Sequence, residues 1–242
     1  EGMGKMYSFY SDMDQANNYY KQLLDIKPIY QSVWFSFLAG LNYSSNFDQN
    51  KYLNYCKKFD ETQIIAIEEF KKTKNNKIKK VGFLSSDLKT HSVSFFLEDL
   101  LRNIKSDKFE LHAISNLDAT NYDEVTNSLK TSFDHWHETS DFNDIKFAQY
   151  VRSLNLDILI DLCGYTFNNR VNALRARLAN KQVSWCGYCN TLGIKNMDFL
   201  IADPNLIKEN EKHLYTEEIL FMPNIWNVMN KPKKLPSIET ND

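Results

Sequence analysis

The sequence predicts an α/β protein in which a parallel sheet, covered on both faces by helices, follows an all-helical segment. Three observations predict it. From residue 80 onward, short apolar runs alternate with amphipathic stretches, as parallel pairing requires, because each parallel strand needs a crossover. Residues 156–162 (LDILIDL) read as a central strand, apolar enough to be buried on both faces. Residues 1–70 show helical periodicity instead, and the run KKTKNNKIKK at 71–80, with six lysines and only Ile78 apolar, separates the two patterns as an exposed linker.

The bulk numbers restrict the function classes. With 242 residues, 43% hydrophobic and 25% charged, the chain can bury one large or two small cores. Its 29 basic and 31 acidic residues leave a net charge of −2, which gives no electrostatic drive toward nucleic acid or anionic lipid. No apolar run reaches the roughly 18–20 residues of a membrane span, and the first residues lack the pattern of a signal peptide. Neither nucleic acid nor membrane is expected as a partner, and a cytoplasmic location is. Cys56, Cys163, Cys186 and Cys189 are too few and too unevenly placed for a disulfide framework. The chain begins with Glu1 rather than Met, so it is expected to be cut from a longer protein.

The elements follow in order. Gly4, Tyr7, Ala16, Tyr20, Leu23 and Pro28 fall at the positions of a 34-residue tetratricopeptide unit, where small residues let two helices approach and Pro28 stops the second. Asp12 and Asp14 lie between these helices and read as a solvated turn. Val33, Phe37 and Leu41, flanked by Trp34 and Leu38, give a wide buried helix face, and 52–70 continues as helix. A domain boundary is placed near residue 76. The expected division is therefore 1–28 as the end of a repeat array, 29–76 as connecting helices, 77–228 as the α/β unit and 229–242 as a linker or tail. Within the α/β unit, strands are expected at 80–85, 109–114, around 133–137, 156–162, 183–188, 199–202 and 219–222. Helices are expected at 93–104, 121–132, 143–154 and 169–179, the last flanked by Arg170, Arg175 and Arg177 as surface-pairing arginines.

In a parallel sheet, ligands gather outside the carboxyl ends of the strands. The first strand runs into Ser85, Ser86 and Asp87, then Thr90 and His91 at the start of the next helix, where the dipole favours a neutral imidazole. Asp87 and His91 could equally serve only as caps of that helix. His135, beside aromatic residues, reads as readily as a half-buried histidine. The fourth strand ends in Asp161, Cys163, Gly164, Tyr165 and Thr166, and Arg170 opens the helix beyond it. The fifth leads into Trp185, Cys186, Gly187, Tyr188 and Cys189. Glycine at such ends permits positive φ and close approach of a ligand. Cys186 and Cys189 have zinc-type spacing but no second pair, so no metal site is expected there.

Taken together, SSDxxxH after the first strand, DKFE, DHWHETS, DILIDLCGYT and QVSWCGYCNTLGIKNMDF with IADP resemble the amino-terminal catalytic lobe of the SPINDLY and O-linked N-acetylglucosamine transferase family, over residues 4–226. The resemblance implies a GT-B fold of two Rossmann-like lobes, here the amino-terminal one, preceded by a tetratricopeptide-type hairpin and linker helices. It implies inverting transfer of a sugar from a nucleotide donor to Ser or Thr of protein or peptide acceptors, without a bound metal or other cofactor. The donor implied first is UDP-N-acetylglucosamine, with fucose transfer as the alternative within the family. By motif position His91 matches an active-site histidine, His135 a second cleft histidine and Gly187 a backbone position lining the sugar pocket, joined by Asp87, Thr90, Gly164, Tyr165, Arg170, Cys186 and Tyr188. Cys189 stands where Pro is common and Asp134 where Asn is common, which leaves the sugar open. Nothing resembles the carboxyl-terminal, nucleotide-holding lobe, so the isolated chain is expected to be inactive. A protein-binding module without chemistry and a nucleotide-sugar epimerase are the rival readings.

Overall fold

The computed structural model describes residues 1–62, 65–72, 77–104 and 107–227. The expected tail at 229–242 and the middle of the lysine-rich linker, 73–76, lie outside the described residues.

Four helices come first: α1 (Gly2–Phe9), α2 (Met13–Ile26), α3 (Gln31–Leu41) and α4 (Gln49–Asp60). A side chain at Gly4 would overlap the Tyr20 ring, so the missing Cβ is what lets α1 lie against α2. The acidic pair is not a free turn. Asp12 caps α2 by accepting from the Gln15 N–H, and Asp14, inside the first turn of α2, accepts from Ser44 and Ser45 and so pins the loop between α3 and α4. After α2 the Pro28 carbonyl accepts the Trp34 indole N–H at 2.6 Å, which seats that buried ring.

The remaining elements are β1 (Lys79–Ser85), α5 (Ser92–Ile104), β2 (Phe109–Ser115), α6 (Glu124–Lys130), β3 (His135–Glu138), α7 (Asp144–Ser153), β4 (Ile158–Asp161), α8 (Val171–Leu174), β5 (Lys181–Ser184), β6 (Phe199–Ala202) and β7 (Glu218–Phe221), with short 3₁₀ turns at Ala119–Asn121 and Glu209–Leu214. The seven strands form one sheet in the order β3-β2-β1-β4-β5-β6-β7, and every neighbouring pair is parallel. The expected parallel α/β sheet is therefore present. Chain order runs outward in one direction from β1 to β3 and in the other from β4 to β7, so the reversal lies between β1 and β4.

Alternation along the strands divides the core. Val81 and Phe83 on β1, with Leu111 and Ala113 on β2, pack with Leu97 and Leu101 of α5 on one face. Leu84, Ile114 and Leu159 point to the other face and join Phe147 and Val151 of α7. That second cluster continues without a break into Tyr20, Trp34, Phe37, Tyr52 and Phe59 of the first four helices. The helical segment and the sheet thus share one apolar core.

Two differences from the sequence expectation have physical causes. The helix expected at 169–179 is only α8, because Arg177 takes a left-handed φ of 54° and turns the chain toward β5. Arg175, expected at the surface, is 2% exposed. It donates to the Thr62 carbonyl at 2.6 Å and the Asp60 carbonyl at 2.9 Å, pairs with the Asp60 carboxylate at 3.3 Å, and lies over Phe59, binding the end of α4 to the sheet unit.

Candidate active site

The strand order reverses between β1 and β4, and in such folds that reversal marks a crevice at the carboxyl rim of the sheet where ligands are placed. β1 runs into Ser85 and Ser86, both buried, and Asp87, half-buried. The Asp87 N–H donates to the Ser85 hydroxyl at 2.9 Å, and the Ser86 hydroxyl donates to the Phe167 carbonyl at 3.0 Å, tying the β1 and β4 loops together. Thr90 is exposed, and its N–H donates to Asp123 at 2.7 Å. Asp123 also caps α6 through the Thr126 N–H; these backbone donors hold its carboxyl far below the usual carboxylate range. His91 is exposed at the start of α5, and its Nδ1 accepts the Val93 N–H at 3.3 Å. A neutral ring held this way carries its proton on Nε2 and presents an N–H outward.

The turn after β5 arrives at the same place. A Cβ on Gly187 would overlap the Leu162 carbonyl oxygen and come within 3.4 Å of Val93 Cγ2, two residues beyond His91. Only glycine allows the β5 turn to lie this close to the β4 end and the first turn of α5. Cys186, at φ 71°, makes the bend, and burial pushes its thiol up to about 12, so it stays protonated. Asp161, at the end of β4, receives the N–H groups of Gly164 at 2.8 Å and Cys163 at 3.3 Å, yet burial holds its carboxyl up at about 7. Gly164 needs its positive φ of 56°, and a side chain there would overlap Tyr188.

Other residues matched by motif have different surroundings. Tyr165 is 2% exposed and points away from the crevice: its hydroxyl donates to the Leu192 carbonyl at 2.6 Å and its ring packs on Phe35, Phe59 and Tyr188. The Tyr188 hydroxyl meets that of Tyr52 at 2.8 Å and accepts from Asn42 at 2.8 Å. Both tyrosines therefore join the sheet unit to the helices. Arg170 is buried, donating to the Asn116 side chain at 2.7 and 2.9 Å and the Thr139 carbonyl at 2.9 Å, and pairing with Asp144 at 3.1 Å. It locks the ends of β2 and β3 to the start of α7.

His135 does not share the crevice. It opens β3 opposite His112, whereas the ligand rim lies at the Glu138 end of that strand. The sequence could not orient a strand this short. Two rim residues, Asn116 and Phe167, were not singled out, and Ser86 was named only as part of the strand end. Ser86 and Asn116 look unremarkable in sequence and matter only through partners 52–81 residues away. Phe167, 85% exposed beside Ser86, was signalled by a large aromatic in a strand-end loop.

Residues 47–241 match the model of glycosyl transferase family 41. The chain belongs to that family. The family 41 chain is 33% identical over 146 residues to the Arabidopsis thaliana protein named probable UDP-N-acetylglucosamine–peptide N-acetylglucosaminyltransferase SPINDLY, covering 59% of this chain and 16% of that one. It is 27% identical over 211 residues to the protein of the same name from Oryza sativa subsp. japonica, covering 84% and 23%. It shares its fold with a solved O-GlcNAc transferase mutant from Thermobaculum terrenum, at TM-score 0.85 and 23% identity, over 97% of this chain and 45% of that one. The family 41 chain thus spans between about a sixth and a quarter of the length of these curated relatives.

Proposed function

We propose that this chain forms the acceptor-side half of a protein O-glycosyltransferase that moves a sugar from a nucleotide donor to Ser or Thr hydroxyls, with N-acetylglucosamine from UDP-N-acetylglucosamine as the first candidate and fucose as the second. The observation that carries the reading is the meeting of the His91 turn and the Gly187 turn at one rim, inside a chain of family 41. The two SPINDLY relatives are named as peptide N-acetylglucosaminyltransferases, which supports peptide acceptors.

Within this reading His91 stands between donor sugar and acceptor. In its present hydrogen bond it offers Nε2–H to an oxygen, so it first orients a substrate; to take the acceptor proton at Nε2 the ring must first lose that proton to solvent and gain one at Nδ1, which ends the long Val93 contact. The backbone around Gly187 sets the wall against which the sugar rests, and Asp87 and Thr90 form the adjoining edge. Tyr165, Tyr188 and Arg170 act at one remove, by fixing the loops. A groove of about 430 Å³ between α1–α3 and the loop at 165–169, lined by Tyr20, Tyr43, Phe167 and Asn169, gives an extended acceptor a route from the helices to the rim. We read α1 and α2 as the end of a tetratricopeptide array on that route. The donor diphosphate falls to a second lobe, and this segment alone is inactive because electrostatic stabilisation of the leaving group, worth about 3 kcal/mol per donor group, is missing. Among the described residues no helix is long and apolar enough to cross a membrane, and we place the enzyme in the cytoplasm.

The test is sugar transfer to a peptide by the full-length protein, wild type against His91→Ala. Turnover is expected to fall about 10²–10⁴-fold, while the loss of one capping contact costs only about 1 kcal/mol of stability. Unchanged turnover removes His91 from the mechanism, and no donor-dependent transfer by the wild type favours a binding module.

A further inference from the structure

We infer that the opposite, amino-terminal rim of the sheet carries a divalent metal site, best suited to Zn²⁺, built from Glu110, His112 and His135. The inference is independent of the glycosyl-transfer reading. Parallel pairing sets His112 of β2 directly against His135 of β3, and strand alternation puts Glu110 on the same face, two residues earlier. Their donor atoms gather within 4.8 Å of one another. Glu110 Oε1 lies 3.0 Å from His112 Nε2 and 3.1 Å from His135 Nε2, and the two imidazoles stack with centroids 4.6 Å apart. Ligand atoms around one Zn²⁺, each bound at about 2.0–2.2 Å, stand about 3.3 Å apart, so the three groups reach a common ion by small side-chain rotations. Two imidazoles and a carboxylate are a donor set that zinc accepts, with the remaining position left to water.

A second observation concerns what lies behind the ligands. His112 Nδ1 is 3.0 Å from His137 Nε2, and His137 Nδ1 is 2.8 Å from the Tyr150 hydroxyl on α7. If His112 gives Nε2 to a metal, its Nδ1–H donates to His137 and the relay to Tyr150 fixes the tautomer, which is how metal-bound histidines are usually held. His112 is buried, while His135 and Glu110 have side chains 49% and 28% exposed, so an ion enters from solvent. Among the described residues Lys80 opposes a cation here, its Nζ lying 3.4 Å from Glu110 Oε1; its side chain is 30% exposed and can swing into water. Since β3 is the last strand of the sheet, the ion would staple an edge strand to its only neighbour, far from the transfer crevice.

The experiment is titration of the full, chelator-stripped chain with Zn²⁺ against a chromogenic chelator, together with thermal melting and the visible spectrum of the Co²⁺ form. The wild type should bind one equivalent and melt higher with metal. His135→Ala and Glu110→Gln, checked for native circular dichroism, should weaken binding by about 10-fold or more, and His137→Phe by about 10–100-fold. Lys80→Ala should tighten it by releasing Glu110. Cys186→Ser and Cys189→Ser should leave it unchanged, and the Co²⁺ spectrum should lack a thiolate charge-transfer band. Full affinity in folded His135→Ala, a thiolate band, or no saturable binding by the folded wild type would each overturn the assignment.

Discussion

At the scale of single residues, the rim depends on side chains that are absent as much as on those present. Gly187→Ala would drive a methyl group into the Leu162 carbonyl oxygen, and backbone rather than a flexible side chain has to move. The expected loss is about 3 kcal/mol, read from the urea midpoint, and the proposed role of this turn as a sugar-pocket wall predicts that transfer by the full-length protein falls further than stability. The sequence marked this glycine through its place at a strand end, but the reason it is needed, a neighbouring backbone carbonyl rather than a positive φ, was not legible there. The roles of Tyr165, Tyr188 and Arg170 were not legible either. Their positions beside the strand ends suggested ligand contact, but their partners come from Tyr52, Leu192, Asn116 and Asp144, and no local pattern announces a contact across 26–136 residues.

Among the elements, the seam between α3–α4 and the turn after β5 is a small polar network within an apolar joint. Tyr188 meets Tyr52 and Asn42, and Asn42 in turn accepts from Asn190 at 2.8 Å. A double-mutant cycle of Tyr52→Phe and Tyr188→Phe should show a coupling of up to about 1 kcal/mol in urea unfolding, because either change alone removes the bond between the hydroxyls while Tyr52 keeps the Thr191 carbonyl and Tyr188 keeps Asn42. Additive effects would mean that the two hydroxyls stand independently. Strand positions were mostly readable: β1, β2, β4, β6 and β7 lie where alternating apolar runs placed them, within two residues or so at each end. α8 was overestimated because its apolar spacing continues through Leu178 while the backbone reverses at Arg177. Strand order was not readable, as periodicity carries no information on which strand lies beside which.

For the molecule as a whole, stability should depend on pH through a buried acid at the rim. Burial lifts Asp161 to about 7, against 3.8 for a free side chain, and the N–H groups of Gly164 and Cys163 only partly oppose this. Below about pH 4 the group is protonated whether the chain is folded or not, and it has no effect. Between about 4 and 7 the unfolded chain loses that proton while the folded chain keeps it, so stability falls as pH rises, and the deficit persists above 7. The full difference is on the order of 4 kcal/mol. Asp161→Asn should flatten this part of the profile, measured as urea unfolding at pH 5 and pH 8; an unchanged slope would assign the dependence to another group, such as Glu217, which burial also raises. The Arg175 clamp has a different consequence at this scale. Its charge is out of water, and its partners, the Asp60 and Thr62 carbonyls and the Asp60 carboxylate, belong to the last turn of the helical segment. Peeling the helices away would break these bonds and leave the guanidinium with only sheet-side partners such as Asn172, so the four helices are joined to the sheet as by a jig rather than a hinge.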